Sequence, residues 1–249
     1  MAGSPARVIL LTVISRAVVV PHPPLLVPEL VTGAAAETEP LRTACVAAAR
    51  QLTEVSVNWL AIAVDADAPR LVPPIARGTF LGYGVDVEVG LADSADAAVD
   101  PALPLPALIA AWLRAQAGAR TVRVQLLPPD LSVADCIDLG ADLAAEPGPI
   151  ALLVLADGSN RIGAASPVRP DERAEPFDED LRAALGKPDP AALAGIDPAL
   201  ATELGVTGRA ALQVLAGAAL AGSQPWQARE LYSDAPYGVG YHVAVWDPS

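Results

Sequence analysis

The sequence predicts an α/β protein, a single domain of helix–sheet–helix layers around a mostly parallel or mixed central sheet. Three observations carry this. Short apolar runs rich in β-branched residues, above all residues 18–20, 59–64 and 150–155, alternate with amphipathic helical stretches along the chain. Nearly every run stops against proline, aspartate or glycine, as strands in such folds do. No internal repeat and no polar linker divides the 249 residues, a length that supports one large core.

The elements follow in order. Val18, Val19 and Val20 form a buried strand that ends at Pro21. Pro23, Pro24 and Pro28 keep the next stretch extended and stiff, because proline removes a donor and pushes its predecessor out of the helical region. Residues 37–52 read as a helix, with Thr38 or Glu39 as cap and Pro40 in the first turn. Strand two, residues 59–64, runs into Asp65-Ala66-Asp67-Ala68-Pro69. Residues 69–84 read as a long loop, and the alternation of Val85, Val87 and Val89 as a strand.

Helix 107–117 places Leu108, Trp112 and Leu113 on its apolar side. Strand 121–127 stops at Pro128-Pro129, and helix 132–145 stops at Pro147-Gly148-Pro149. Residues 150–155 are the most apolar strand and so a central one. After a loop at 161–175 come helical pieces at 177–185, 190–194 and 198–204. Asp189-Pro190 and Asp197-Pro198 act as cap and first turn for the last two. Helix 208–221 and two strands, 228–233 and 239–246, close the chain. Residues 1–15 read as an extension or as the start of strand one, and 16–249 as the domain.

Composition excludes several classes. A net charge of -13 opposes a nucleic-acid partner, which needs a basic face. No run of about 18 apolar residues exists to span a membrane. Cys45 and Cys136 lie in apparent helices without metal-type spacing, which suits a reduced, cytoplasmic protein. The apolar stretch 8–14 lacks a small-residue cleavage site, so it does not read as a signal peptide.

Three polar groups follow strands: His22; Asp65 and Asp67; Asp157, Ser159 and Asn160. In a parallel sheet all three project at one edge and could line one cleft, with Glu230 and Asp234 of the last hairpin completing it. The plainer alternative is that Asp and Asn merely cap turns and that His22 bonds to loop backbone. Arg161, Arg169 and Arg173 either bind a carboxylate or are solvated loop charges. Gly158–Gly163 lacks the lysine and hydroxyl ending of a phosphate loop. A Ser/His/Asp triad here would need His22 to reach Ser159, which has no Gly-x-Ser-x-Gly frame.

Val20-Pro21-His22-Pro23-Pro24-Leu25-Leu26-Val27-Pro28-Glu29-Leu30 resembles the N-terminal signature of the class III extradiol dioxygenase (LigB-like) superfamily. Ala235-Pro-Tyr-Gly-Val-Gly-Tyr241 resembles a second signature of one divergent branch. The resemblance implies that His22 is a ligand of an active-site iron. It puts Asp67 where the family has its second metal histidine, Glu230 at the metal carboxylate, and Asn160 at the catalytic histidine, within Asp157-Gly158-Ser159-Asn160.

The histidine count departs from the family. The chain has two, His22 and His242, and His242 sits inside the last strand, where it reads as structural. Two histidine ligands and a histidine base would need three, so the standard ring-cleaving site cannot be assembled. A His22, Asp67, Glu230 set would suit a divalent metal such as Fe, Mn, Mg or Zn. Asn160 cannot shuttle a proton. The expectation is a LigB-like protein with an altered metal site that is not a standard catechol dioxygenase. The alternatives are a non-catalytic binding or scaffold protein, since the Memo branch shares the fold without an established dioxygenase role, or a dioxygenase completed by a partner subunit. The ligand implied is a small aromatic or acidic molecule, and self-association is left open.

Overall fold

The computed structural model describes residues 14–31, 33, 35–93, 97–222 and 224–249. Its strands are β1 (Ile14–Val20), β2 (Asn58–Val64), β3 (Arg70–Val72), β4 (Arg77–Thr79), β5 (Glu88–Gly90), β6 (Val99–Asp100), β7 (Thr121–Leu127), β8 (Ile150–Leu155), β9 (Trp226–Asp234) and β10 (Tyr241–Pro248). Its helices are α1 (Ala35–Val55), α2 (Leu105–Ala117), α3 (Val133–Ala145), α4 (Ala174–Gly186), α5 (Pro190–Ala194), α6 (Pro198–Glu203) and α7 (Arg209–Ala221).

Seven strands form the main sheet in the order β3-β7-β2-β8-β1-β10-β9. The central four, β7, β2, β8 and β1, run parallel. The edges are antiparallel: β3 against β7, β10 against β1, and β9 against β10. The sheet is therefore mixed around a parallel centre.

Both faces are buried, as the apolar runs require. Successive β1 side chains alternate between them. Val18 and Val20 join Ala61, Leu153 and Val243 under α1 and α2. Ala17 and Val19 join Ile62, Val154 and Trp246 under α3, α4, α5 and α7. Helices α3 and α7 meet backbone to backbone: a side chain on Gly140 would overlap the Val214 carbonyl, and one on Gly217 the Ile137 carbonyl. Among the described residues no helix is long and apolar enough to cross a membrane.

Three local expectations need correction. Helix α1 begins at Ala35, so Pro40 lies inside it, and Thr38 is buried beneath Arg42, which donates to its hydroxyl at 2.7 Å, instead of capping. The burial of Leu41, Cys45, Ala48 and Leu52 outweighs the one bond proline removes. The expected loop at 69–84 contains β3, β4 and a 3-10 turn, Phe80–Tyr83, whose entry is capped by Thr79. The strand expected from Val85 shrinks to Glu88–Gly90, because Val87 N–H turns back onto the Val85 carbonyl at 2.9 Å. Of residues 1–15, only Ile14 and Ser15 are described, and both belong to β1.

The four parallel strands end at one edge. Pro21-His22 follows β1, Asp65 follows β2, Pro128-Pro129 follows β7, and Ala156-Asp157 follows β8. The chain runs outward from β2 to β7, then returns to insert β8 between β2 and β1. Such a reversal opens a crevice beyond the carboxyl ends of the strands.

Candidate functional site

A cavity of about 630 Å³ lies at that edge, walled mostly by Pro23, Pro24, Val64, Leu105, Pro106 and Val206. His22, Asp65, Asp157, Asn160, Arg209 and Tyr241 supply its polar groups. The prolines on either side fix the His22 backbone, and its N–H donates to Asp157 Oδ1 at 2.9 Å. The same carboxylate oxygen lies 3.7 Å from His22 Nδ1, a buried nitrogen with no hydrogen-bond partner among the described residues.

Tyr241 enters from the start of β10. Burial, with Asp157 nearby, pushes its phenol well above the usual range, so it remains a neutral donor. Arg209 is buried at the start of α7 and donates to the Leu131 carbonyl at 2.6 Å, to Gln213 Oε1 at 2.9 Å and to the Pro129 carbonyl. Among the described residues no carboxylate pairs with it. The guanidinium ties the α7 terminus to the loop after β7 and brings positive charge to the cavity wall.

The residues singled out in the sequence separate into two groups. His22, Asp65, Asp157 and Asn160 do meet at the cavity. Asn160 packs against Gly205, whose φ of 66° and missing side chain both make room for the amide. Ser159 is fully buried and does not line this cavity. Its hydroxyl donates to the Leu204 carbonyl at 2.7 Å and accepts from Arg161 N–H at 3.1 Å, which pins two loops together.

Asp67 and Glu230 lie outside the cavity lining. Asp67 is exposed in a turn, where its N–H donates to Asp65 Oδ1 at 3.0 Å. Glu230 is on β9, at the sheet edge two strands beyond β1, and accepts from Arg182 Nε at 3.0 Å and Arg182 Nη2 at 3.2 Å. The expected His22, Asp67, Glu230 ligand set is not brought together. Among the described residues no group of three or more His, Cys, Asp or Glu could hold a metal ion, so the side chains present do not fit the divalent metal that the resemblance implies. The loop arginines are engaged locally: Arg173 pairs with Asp171 and Glu203, and Arg161 donates to the Arg169 carbonyl. That pairing holds the Asp171 carboxyl well below the usual carboxylate range.

A second cluster escaped the sequence reading. His242 Nδ1 lies 2.8 Å from Ser233 Oγ, and its Nε2 lies 3.0 Å from Asp178 Oδ2, off the hydrogen-bond axis. The three side chains border a cleft of about 240 Å³. Nothing local links Asp178 to the hairpin. The available signal was glycine at 158 and 240, the two positions that make space for its carboxylate.

No family model matches the chain, and no curated protein matches it.

Proposed function

We propose that this chain is a LigB-like protein with an altered site, one that binds a small aromatic or acidic molecule at His22 and does not open catechol rings alone. The observation that carries the reading is the composition of the cavity: His22, Asp157 and Tyr241 converge there, while Asp67 and Glu230 stay outside. Its volume, about 630 Å³, falls within the usual range for small-molecule sites, roughly 300–1,000 Å³. Apolar walls suit a ring, and Tyr241 and Arg209 supply donors for a hydroxyl or carboxylate.

Asn160 stands where the family has its catalytic base and cannot move a proton near neutral pH. A general base contributes about 10²–10⁴-fold, a loss that the remaining groups would have to make good. Two buried free thiols, Cys45 and Cys136, support a cytoplasmic setting. The charge of -13 supports a partner other than nucleic acid.

Calorimetry with a panel of benzoates and hydroxybenzoates tests the binding reading. At least one member should bind, and Tyr241→Phe should weaken it about tenfold, the worth of about 1.4 kcal/mol of lost hydrogen bonding. Affinity unchanged in both Tyr241→Phe and His22→Ala would contradict the assignment of the cavity.

A further inference from the structure

We propose that Ser233, His242 and Asp178 form a second site, independent of the His22 cavity, that cleaves short-chain esters. The geometry is a run of three neighbouring groups. His242 Nδ1 is 2.8 Å from Ser233 Oγ, and Asp178 Oδ2 is 3.0 Å from His242 Nε2, within ion-pair distance but off the hydrogen-bond axis. The negative carboxylate beside Nε2 favours the ring proton on that nitrogen by charge, which leaves the Nδ1 lone pair for the Ser233 O–H. The serine oxygen is then polarised for attack, with the carboxylate placed to stabilise the imidazolium that forms. The two ring nitrogens exchange the roles they have in the chymotrypsin arrangement; the proton chemistry is the same.

The carboxylate is held, not merely near. Side chains on Gly158 or Gly240 would overlap it, and Ser159 N–H donates to its Oδ1 at 3.1 Å. Gly158 and Gly240 are themselves joined, Gly158 N–H to the Gly240 carbonyl at 2.8 Å, as are Gly240 N–H and the Ser159 carbonyl at 2.8 Å. His242 and Asp178 are more than nine-tenths buried, whereas Ser233 is partly exposed on the cleft wall. That gradient, from a buried acid through a buried base to an accessible hydroxyl, is the order a nucleophilic relay needs.

The step balances with water as the only co-reactant. Ser233 Oγ bonds to the ester carbonyl carbon while its proton passes to His242 Nδ1. The bond from that carbon to the alcohol oxygen breaks, and the imidazolium returns the proton to the leaving oxygen. Water then cleaves the acyl–Ser233 ester through the same nitrogen, releasing the carboxylic acid and restoring the hydroxyl. A cleft of about 240 Å³ holds a short acyl chain. Glu175, Glu179 and Asp234 line it beside Arg182, which disfavours anionic esters and selects neutral or cationic ones.

The test is hydrolysis of p-nitrophenyl acetate by the full chain, together with labelling by a fluorophosphonate and peptide mass mapping. The adduct should fall on Ser233, and Ser233→Ala should lower turnover at least about 100-fold while still melting cooperatively, a few degrees lower at most. In a second variant, Ser233→Cys, the new thiol should react with iodoacetamide faster than the same thiol in Ser233→Cys/His242→Gln, and equal rates would overturn the relay. Turnover equal in wild type and Ser233→Ala, or absence of the Ser233 adduct in a natively melting protein, would overturn the proposal. Neither readout depends on ligand binding at His22, so the two sites fail or stand separately.

Discussion

The Asp178 carboxylate occupies the space that a side chain on Gly240 would fill: a Cβ built there overlaps both carboxylate oxygens. The contact joins α4 to the start of β10. It also sets the two sites back to back, since Tyr241 lines the His22 cavity and His242 meets Asp178. Gly240→Ala should cost about 1–3 kcal/mol, the usual penalty for overpacking, and lower the melting temperature by several degrees. A melt within one degree of wild type would show that α4 moves aside freely.

Asn160→His places a histidine where the resembled family has its base. The amide already presses on Gly205 at a left-handed turn, so a larger ring must displace residues 204–208. The variant should melt lower than wild type and gain no ring-opening activity. Gain of activity would show that the proposed loss of ring cleavage rests on residue 160 and not on the ligand set.

Alkaline stability follows from the tyrosines. Burial raises Tyr232 from about 10 to about 12, and Tyr241 is also raised. A phenol with a folded-state pKa above its unfolded value contributes stability that is complete below about pH 10 and is lost as pH rises through the folded value. Melting temperature should therefore fall steeply between about pH 10 and 12. Phenolate absorbance should lag behind that of a denatured control. Superimposable folded and denatured titrations would contradict the burial.

Asp197 caps α6 by accepting from Leu200 N–H at 2.7 Å, and α6 carries Ala201 and Thr202 into the cavity wall. Asp197→Ala should cost about 0.5–2 kcal/mol, read by denaturant melts. A change indistinguishable from zero would show that the short helix is held by packing alone.

What the sequence revealed depended on how local the cause was. Asp189-Pro190 and Asp197-Pro198 were legible because cap and helix start are adjacent, and both caps are made. The strand at 150–155 was legible because burial on both faces requires an unbroken apolar run. The three-residue β3 was not, since its partner lies about fifty residues later and its length shows no period. Cleft geometry was half legible. Strand ends that share a direction share an edge, which gave His22, Asp65 and Asp157. Glu230 was misplaced because strand order in the sheet, not position in the chain, sets its distance from His22.

The central claim is that His22 belongs to a binding cavity and not to a working iron centre. The most direct test loads untagged protein anaerobically with Fe(II), then admits oxygen with catechol and protocatechuate, following the yellow ring-opened product. Background rates are expected for wild type and His22→Ala alike. Robust turnover in wild type that vanishes in His22→Ala would contradict it and return the site to ring cleavage.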